Sequence, residues 1–144
     1  GKPAMLGICK DGLPLIVDLG KPSSLLISVT SQDAAHLLWV MFQSAKFWSE
    51  KITFNLVHRE ADFPEHPQGV ILIPDRIGFF DDRQNCPLLR CLEERTAFVI
   101  MIAPVFNMPR FDVHAGIDPW GRWSAYDWQQ QQAWEFDLPE MGGE

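Results

Sequence analysis

Short apolar runs that alternate with helix-like stretches predict an α/β fold with a mostly parallel sheet. Three observations carry that expectation. Apolar runs at 15–19, 25–30, 52–58, 70–73 and 97–105 read as strands, most of them flanked by Gly, Pro or Ser. Two stretches between them, 32–48 and 87–95, read as helices. The run 97–105 shows no polar–apolar alternation, as expected of a central strand buried on both faces.

The elements follow in order. Residues 6–45 read as a strand, a short link, a second strand, a tight turn and an apolar helix. The helix 32–48 contains no Pro or Gly, and its apolar residues surround almost the whole circumference. Such a helix needs cover on several sides, which hints at oligomerisation. The strand 52–58 leads into a polar loop at 59–69, and 70–73 is a four-residue apolar strand. A loop at 75–86 precedes the helix 87–95, which has Pro87 in its first turn. Beyond Pro109 the character changes to a Trp-rich tail, dividing the chain into a core at 1–110 and an extension at 111–144. In that tail 134–138 alternates as a half-buried strand does and would pair with 122–128. The four glutamines at 129–132 form either their connection or a short helix.

The turn after the second strand is the most informative point. A phosphate-cradling loop of the Walker A type needs G-x-x-x-x-G-K-[ST] there. The same register holds Val29, Thr30, Ser31, Gln32, Asp33, Ala34, Ala35 and His36. Val29 puts a β-branched side chain where glycine lets backbone N–H groups wrap an anion. Ala35 lacks the ammonium that reaches the phosphates, and His36 replaces the hydroxyl that sits on magnesium. Asp33 adds a carboxylate, and two like charges about 4 Å apart repel by roughly 4 kcal/mol at an effective dielectric near 20. As an ordinary helix start the turn makes sense. Thr30-Ser31-Gln32-Asp33 resembles a capping box, and a carboxylate there complements the positive end of the helix dipole.

Residues 6–29 resemble the entry to the motor domain of FtsK/SpoIIIE-type DNA translocases and the related HerA group. The resemblance rests on Leu6-Gly7, Gly12-Leu13-Pro14, Asp18-Leu19, Lys21 and Leu25-Leu26-Ile27, in register without gaps. Residues 70–75 resemble the Walker B strand, with Pro74 at the magnesium-binding Asp position and Asp75 where the family keeps its catalytic Glu. Residues 87–95 and 98–103 resemble the helix and strand that precede the family's sensor turn, which reads Ala103-Pro104-Val105-Phe106-Asn107 here. The resemblance implies a three-layer α/β core, a reduced version of the P-loop NTPase-like one. The replaced residues imply a pseudo-ATPase with no catalytic residues and no cofactor, kept as a scaffold or protein-interaction module, or as a non-catalytic subunit of a motor assembly.

Composition narrows the function classes. With 144 residues the chain is long enough for one real core, and far shorter than a full translocase motor. The net charge of −7 argues against nucleic-acid binding, which draws its affinity from Lys and Arg. Arg90 and Arg95 stand beside Glu93 and Glu94, so no basic cluster is visible in the sequence. No apolar run is long enough to cross a bilayer and no signal peptide is visible, so a cytoplasmic protein is expected. Cys9, Cys86 and Cys91 form no C-x-x-C and read as buried, reduced thiols.

Other chemistry-bearing groups are weighed against plainer roles. His58, Glu60, Asp62 and His66 follow a strand and could form a two-histidine, carboxylate metal site of a small enzyme, or simply a solvated loop. Asp75, Asp81 and Asp82 could hold a hard cation or lie on a charged surface. Ser23, Ser24, Ser28 and Ser31 lack the G-x-S-x-G elbow of a hydrolase. Trp120, Trp123, Tyr126, Trp128 and Trp134 form either core or an interface with a protein partner or a second copy of the chain.

Overall fold

The structure, a computed structural model, describes residues 1–46, 51–75, 86–104 and 111–140. Its strands are β1 (Pro3–Cys9), β2 (Pro14–Asp18), β3 (Ser23–Ser28), β4 (Phe54–Leu56), β5 (Val70–Ile73), β6 (Phe98–Ile102), β7 (Val113–Ile117), β8 (Trp123–Asp127) and β9 (Gln132–Asp137). Two helices, α1 (Ser31–Ser44) and α2 (Pro87–Glu94), and a 3-10 turn at Glu60–Asp62 accompany the strands. The predicted C-terminal end of the first helix, at residues 47 and 48, lies outside them.

All nine strands join one sheet in the order β2-β1-β9-β8-β7-β3-β6-β5-β4. The segment β7-β3-β6-β5-β4 is parallel throughout. The other half is not. β7–β8, β8–β9, β9–β1 and β1–β2 all pair antiparallel, so the mostly parallel sheet expected from sequence is a mixed one. Turn chemistry is the reason for three of these pairs, because parallel neighbours need a long crossover and the β1–β2, β7–β8 and β8–β9 links are too short for one. Gly12 (φ 82°) closes the first hairpin, with the Asp11 carboxylate accepting from Leu13 N at 2.9 Å. Gly121 (φ 81°) closes the β7–β8 hairpin around Asp118, whose carboxylate accepts from Trp120 N and Arg122 N. Asp127 does the same for Gln129 N and Gln130 N between β8 and β9, so the first three glutamines lie in a turn and Gln132 opens β9.

Two strands went unread in the sequence. β1 is interrupted by Gly7, where an added Cβ would sit 2.4 Å from the Phe136 ring, so only glycine lets β1 approach β9 this closely. β7 reads VHAGI, with His114 and Gly116 diluting the strand signal.

The sheet curls around α1. Ala4 and Leu6 of β1 and Phe136 of β9 share one buried cluster with Leu25 and Ile27 of β3 and with Ala34, Leu37 and Met41 of α1. Met5 N donates to Ser44 Oγ at 2.7 Å, tying the end of α1 to β1. This curl supplies much of the cover that the apolar circumference of α1 requires. A second cluster joins Leu26, Ile71, Ile73, Val99 and Met101 to Leu88, Cys91 and Leu92 of α2. The two clusters take alternate residues of the same strands, which places α1 and α2 against opposite faces.

Candidate functional site

Parallel strands end together near the start of α1, the edge where open α/β sheets hold ligands. β3 lies between β6 and β7, and its end leads directly into α1. Thr30 caps the helix in extended geometry (φ −63°, ψ 158°), its Oγ1 accepting from Asp33 N at 3.3 Å. The Thr30 hydroxyl donates to the Asp33 carboxylate at 3.0 Å. Val29 and Ala34 turn inward into the α1 cluster, while Ser31, Gln32, Asp33 and Ala35 face solvent. No residue between 28 and 36 has a positive φ, so the left-handed kink that helps to form an anion nest is missing from this turn. Asp33 is exposed, so its repulsion of an approaching anion falls toward the aqueous limit of about 1 kcal/mol at 4 Å. His36 Nε2 donates to the carbonyl of Pro139 at 2.8 Å, linking α1 to the segment after β9.

Beside this turn a cavity of about 600 Å³ opens over the ends of β3 and β7. Ser28, His114, Asp118, Ser124 and Tyr126 supply its polar groups. His114 and Tyr126 are directly paired across β7 and β8. Trp128 meets both rings edge-on, at centroid distances of 5.6 Å to His114 and 4.6 Å to Tyr126. Trp120 stands at the tip of the β7–β8 turn and is 87% exposed. The other two tryptophans of the tail point elsewhere. Trp123 is buried and stacks on Phe136 at 5.9 Å, and Trp134 is half-buried beside Leu6 and Leu15. Strand alternation explains the division, since Trp123 and Tyr126 lie on opposite faces of β8. His114 was not singled out from sequence, because a histidine in an unread strand gives no signal.

No family model matches the chain, and no curated protein matches it. Among solved structures, the cytoplasmic domain of the Thermomonospora curvata type VII secretion ATPase EccC superposes with a TM-score of 0.59 at 10% identity. The fold is similar to that of an ATPase domain. The match takes in 98% of this chain and 27% of that one, so the chain spans about a quarter of its structural neighbour. At this identity the likeness concerns the fold alone. No helix among the described residues is long and apolar enough to cross a membrane.

The other predicted groups are placed as follows. Pro74 and Asp75 follow β5, Asp75 exposed to solvent, and Ala103 N donates to Ile27 O at 3.0 Å. Val105, Phe106, Asn107, Asp81 and Asp82 lie outside the described residues. His58 and His66 are exposed, and Asp62 turns to Arg59 at 3.3 Å. The hydrogen bond from the Arg59 side chain is the main cause holding the Asp62 carboxyl below its ordinary value. Among the described residues, no three His, Cys, Asp or Glu side chains are grouped to hold a metal. Ser23 and Ser24 serve the fold: Ser24 Oγ accepts from Asp112 N at 2.8 Å, and Ser23 Oγ donates to the Asp112 carboxylate at 3.0 Å. Arg95 forks onto that carboxylate at 3.2 and 2.8 Å. Cys86 and Cys91 are buried at α2, Cys9 is half-buried and none of the three is in a disulfide. Burial is the main cause raising Cys91 above its usual range.

Proposed function

We propose that the chain is an FtsK/HerA-like α/β domain of the P-loop type, in three layers, that does not hydrolyse ATP and serves as a scaffold or interaction module. The observation that carries this reading is the β3–α1 turn, closed by Thr30 and Asp33 rather than left open for a triphosphate. The placement of α1 and α2 against opposite faces of the sheet supports the layered part of the reading. The likeness to one part of a longer secretion ATPase favours a domain that works beside other domains or subunits. Exposed Trp120 and Trp128, with half-buried Tyr126 against Trp128, are the proposed contact surface, because aromatics with a polar edge are frequent anchors of interfaces.

Calorimetric titration with Mg-ATP tests the inactive half, with no binding expected up to millimolar nucleotide. Micromolar binding that shifts the amide signals of residues 29–36 would overturn it. The contact half is tested by sedimentation and partner capture with a Trp120→Ala, Trp128→Ala double variant. Unchanged assembly and unchanged capture in a folded variant would remove that surface from consideration.

A further inference from the structure

At the opposite end of the sheet, where β3, β5 and β6 begin, lies a second cavity of about 230 Å³. Lys2, Lys21 and Lys51 all border it, and its lining includes no Asp or Glu. Three of the five lysines in a chain of net charge −7 therefore converge on one small hollow. The aliphatic stem of Lys2 lies against Gly20, where an added Cβ would meet its Cγ and Cδ at 3.4 Å. The Lys2 ammonium donates to the carbonyl of Lys51 at 3.2 Å, bridging the rim. Lys21 and Lys51 form no salt bridge among the described residues. The nearby Asp18 carboxylate is outside the lining and accepts from Lys2 N at 2.8 Å and Gly20 N at 2.9 Å.

The floor is rigid. Gly69 (φ 68°) passes so close to Thr53 that an added Cβ would lie 2.2 Å from its carbonyl oxygen. Val70 N and Phe98 N pin the same segment through Thr53 O and Gly69 O, both at 2.8 Å. The side chains of Thr53 and Gln68 add a hydroxyl and an amide donor to the lining, whereas the Thr96 hydroxyl donates to Cys91 Sγ at 3.3 Å. Ammonium groups are donors only, so a hollow rimmed by three of them calls for an acceptor-only partner. Its volume is below the roughly 300–1,000 Å³ of pockets that hold drug-sized ligands.

We propose that this cavity binds a compact phosphate dianion, either free or as the head of a small phosphate monoester. The site is separate from the β3–α1 turn, at the far end of β3 and about 20 Å away by strand rise, and it does not rest on the proposed function. The test is calorimetric titration of the full chain with inorganic phosphate and with glycerol phosphate, chloride holding ionic strength constant. Saturable binding is expected, weakened about tenfold or more by Lys21→Gln with Lys51→Gln, and kept by the control Lys10→Gln. Tighter binding of the ester assigns the site to a phosphorylated group, and tighter binding of the inorganic ion to free phosphate. Heats reproduced by chloride, or a double variant that binds as well as the original chain, would overturn the proposal. Amide shifts in the unaltered chain give an independent reading: phosphate should perturb Gly20, Thr53 and Gly69, and perturbation confined elsewhere would also overturn it.

Discussion

Thr30 and Asp33 together cap the start of α1. Thr30 satisfies an N–H that the helix leaves open, and the Asp33 carboxylate places negative charge at the positive end of the dipole. Replacing Thr30 with Ala is expected to lower stability by about 1 kcal/mol in a urea melt; no measurable change would contradict the capping role. This local motif was legible in sequence because all its members lie within four positions. Asp18 was not. Its carboxyl is held below the ordinary value of 3.8, chiefly by the Lys2 backbone N–H, with Gly20 N–H adding to it. A depressed carboxyl contributes stability that is complete above the ordinary value and is lost as pH falls through the folded one. Its carbon-detected NMR titration should therefore have a midpoint under 3.8, and a midpoint at or above that value would contradict the assigned hydrogen bonds. The same distance effect hides the lysine-rimmed cavity, since Lys2, Lys21 and Lys51 meet only after the strands have assembled.

At the scale of elements, most of the parallel half was readable. β6 is buried along its whole length, as an unbroken apolar run predicts, and β5 matches its expected bounds. α2 begins at Pro87 as expected, and ends where Arg95 adopts a left-handed cap (φ 53°). Arg95 keeps that conformation while reaching Asp112, a partner that no local pattern announces. The strand expected at 52–58 shortens to Phe54–Leu56 because it pairs on one side only, at the edge beyond β5. Gly69 sets where β5 begins. Gly69→Ala places a Cβ against the Thr53 carbonyl at a positive φ, and is expected to cost about 2 kcal/mol or more in equilibrium unfolding. A variant as stable as the original chain would show that this close approach relaxes freely.

Across the whole molecule, the composition change after Pro109 coincides with no break in the sheet. β7 pairs directly with β3, and β9 joins β8 to β1, so the aromatic tail connects the N-terminal hairpin to the parallel half. Removing residues 111–144 is therefore expected to abolish cooperative unfolding, as followed by near-UV circular dichroism. A truncated chain that still melts sharply would show that 1–110 is self-sufficient. The tryptophans separate in the same experiment class. Trp123→Ala should destabilise by about 3–5 kcal/mol through the cavity it leaves, whereas Trp120→Ala should stay within about 0.5 kcal/mol. Similar losses at both positions would contradict the division between buried and exposed rings.

Sequence alone determined most of the succession of strands and helices in the parallel half, the acid-capped start of α1 and the absence of a Walker A pattern after β3. All of these are set by neighbours a few positions apart, where backbone sterics and side-chain chemistry act directly. The tertiary structure decided that the sheet is mixed and curled, which tryptophans are buried, and that three lysines surround one hollow. Those features depend on strand pairing between distant segments, and the energy of such pairing belongs to no single stretch of chain.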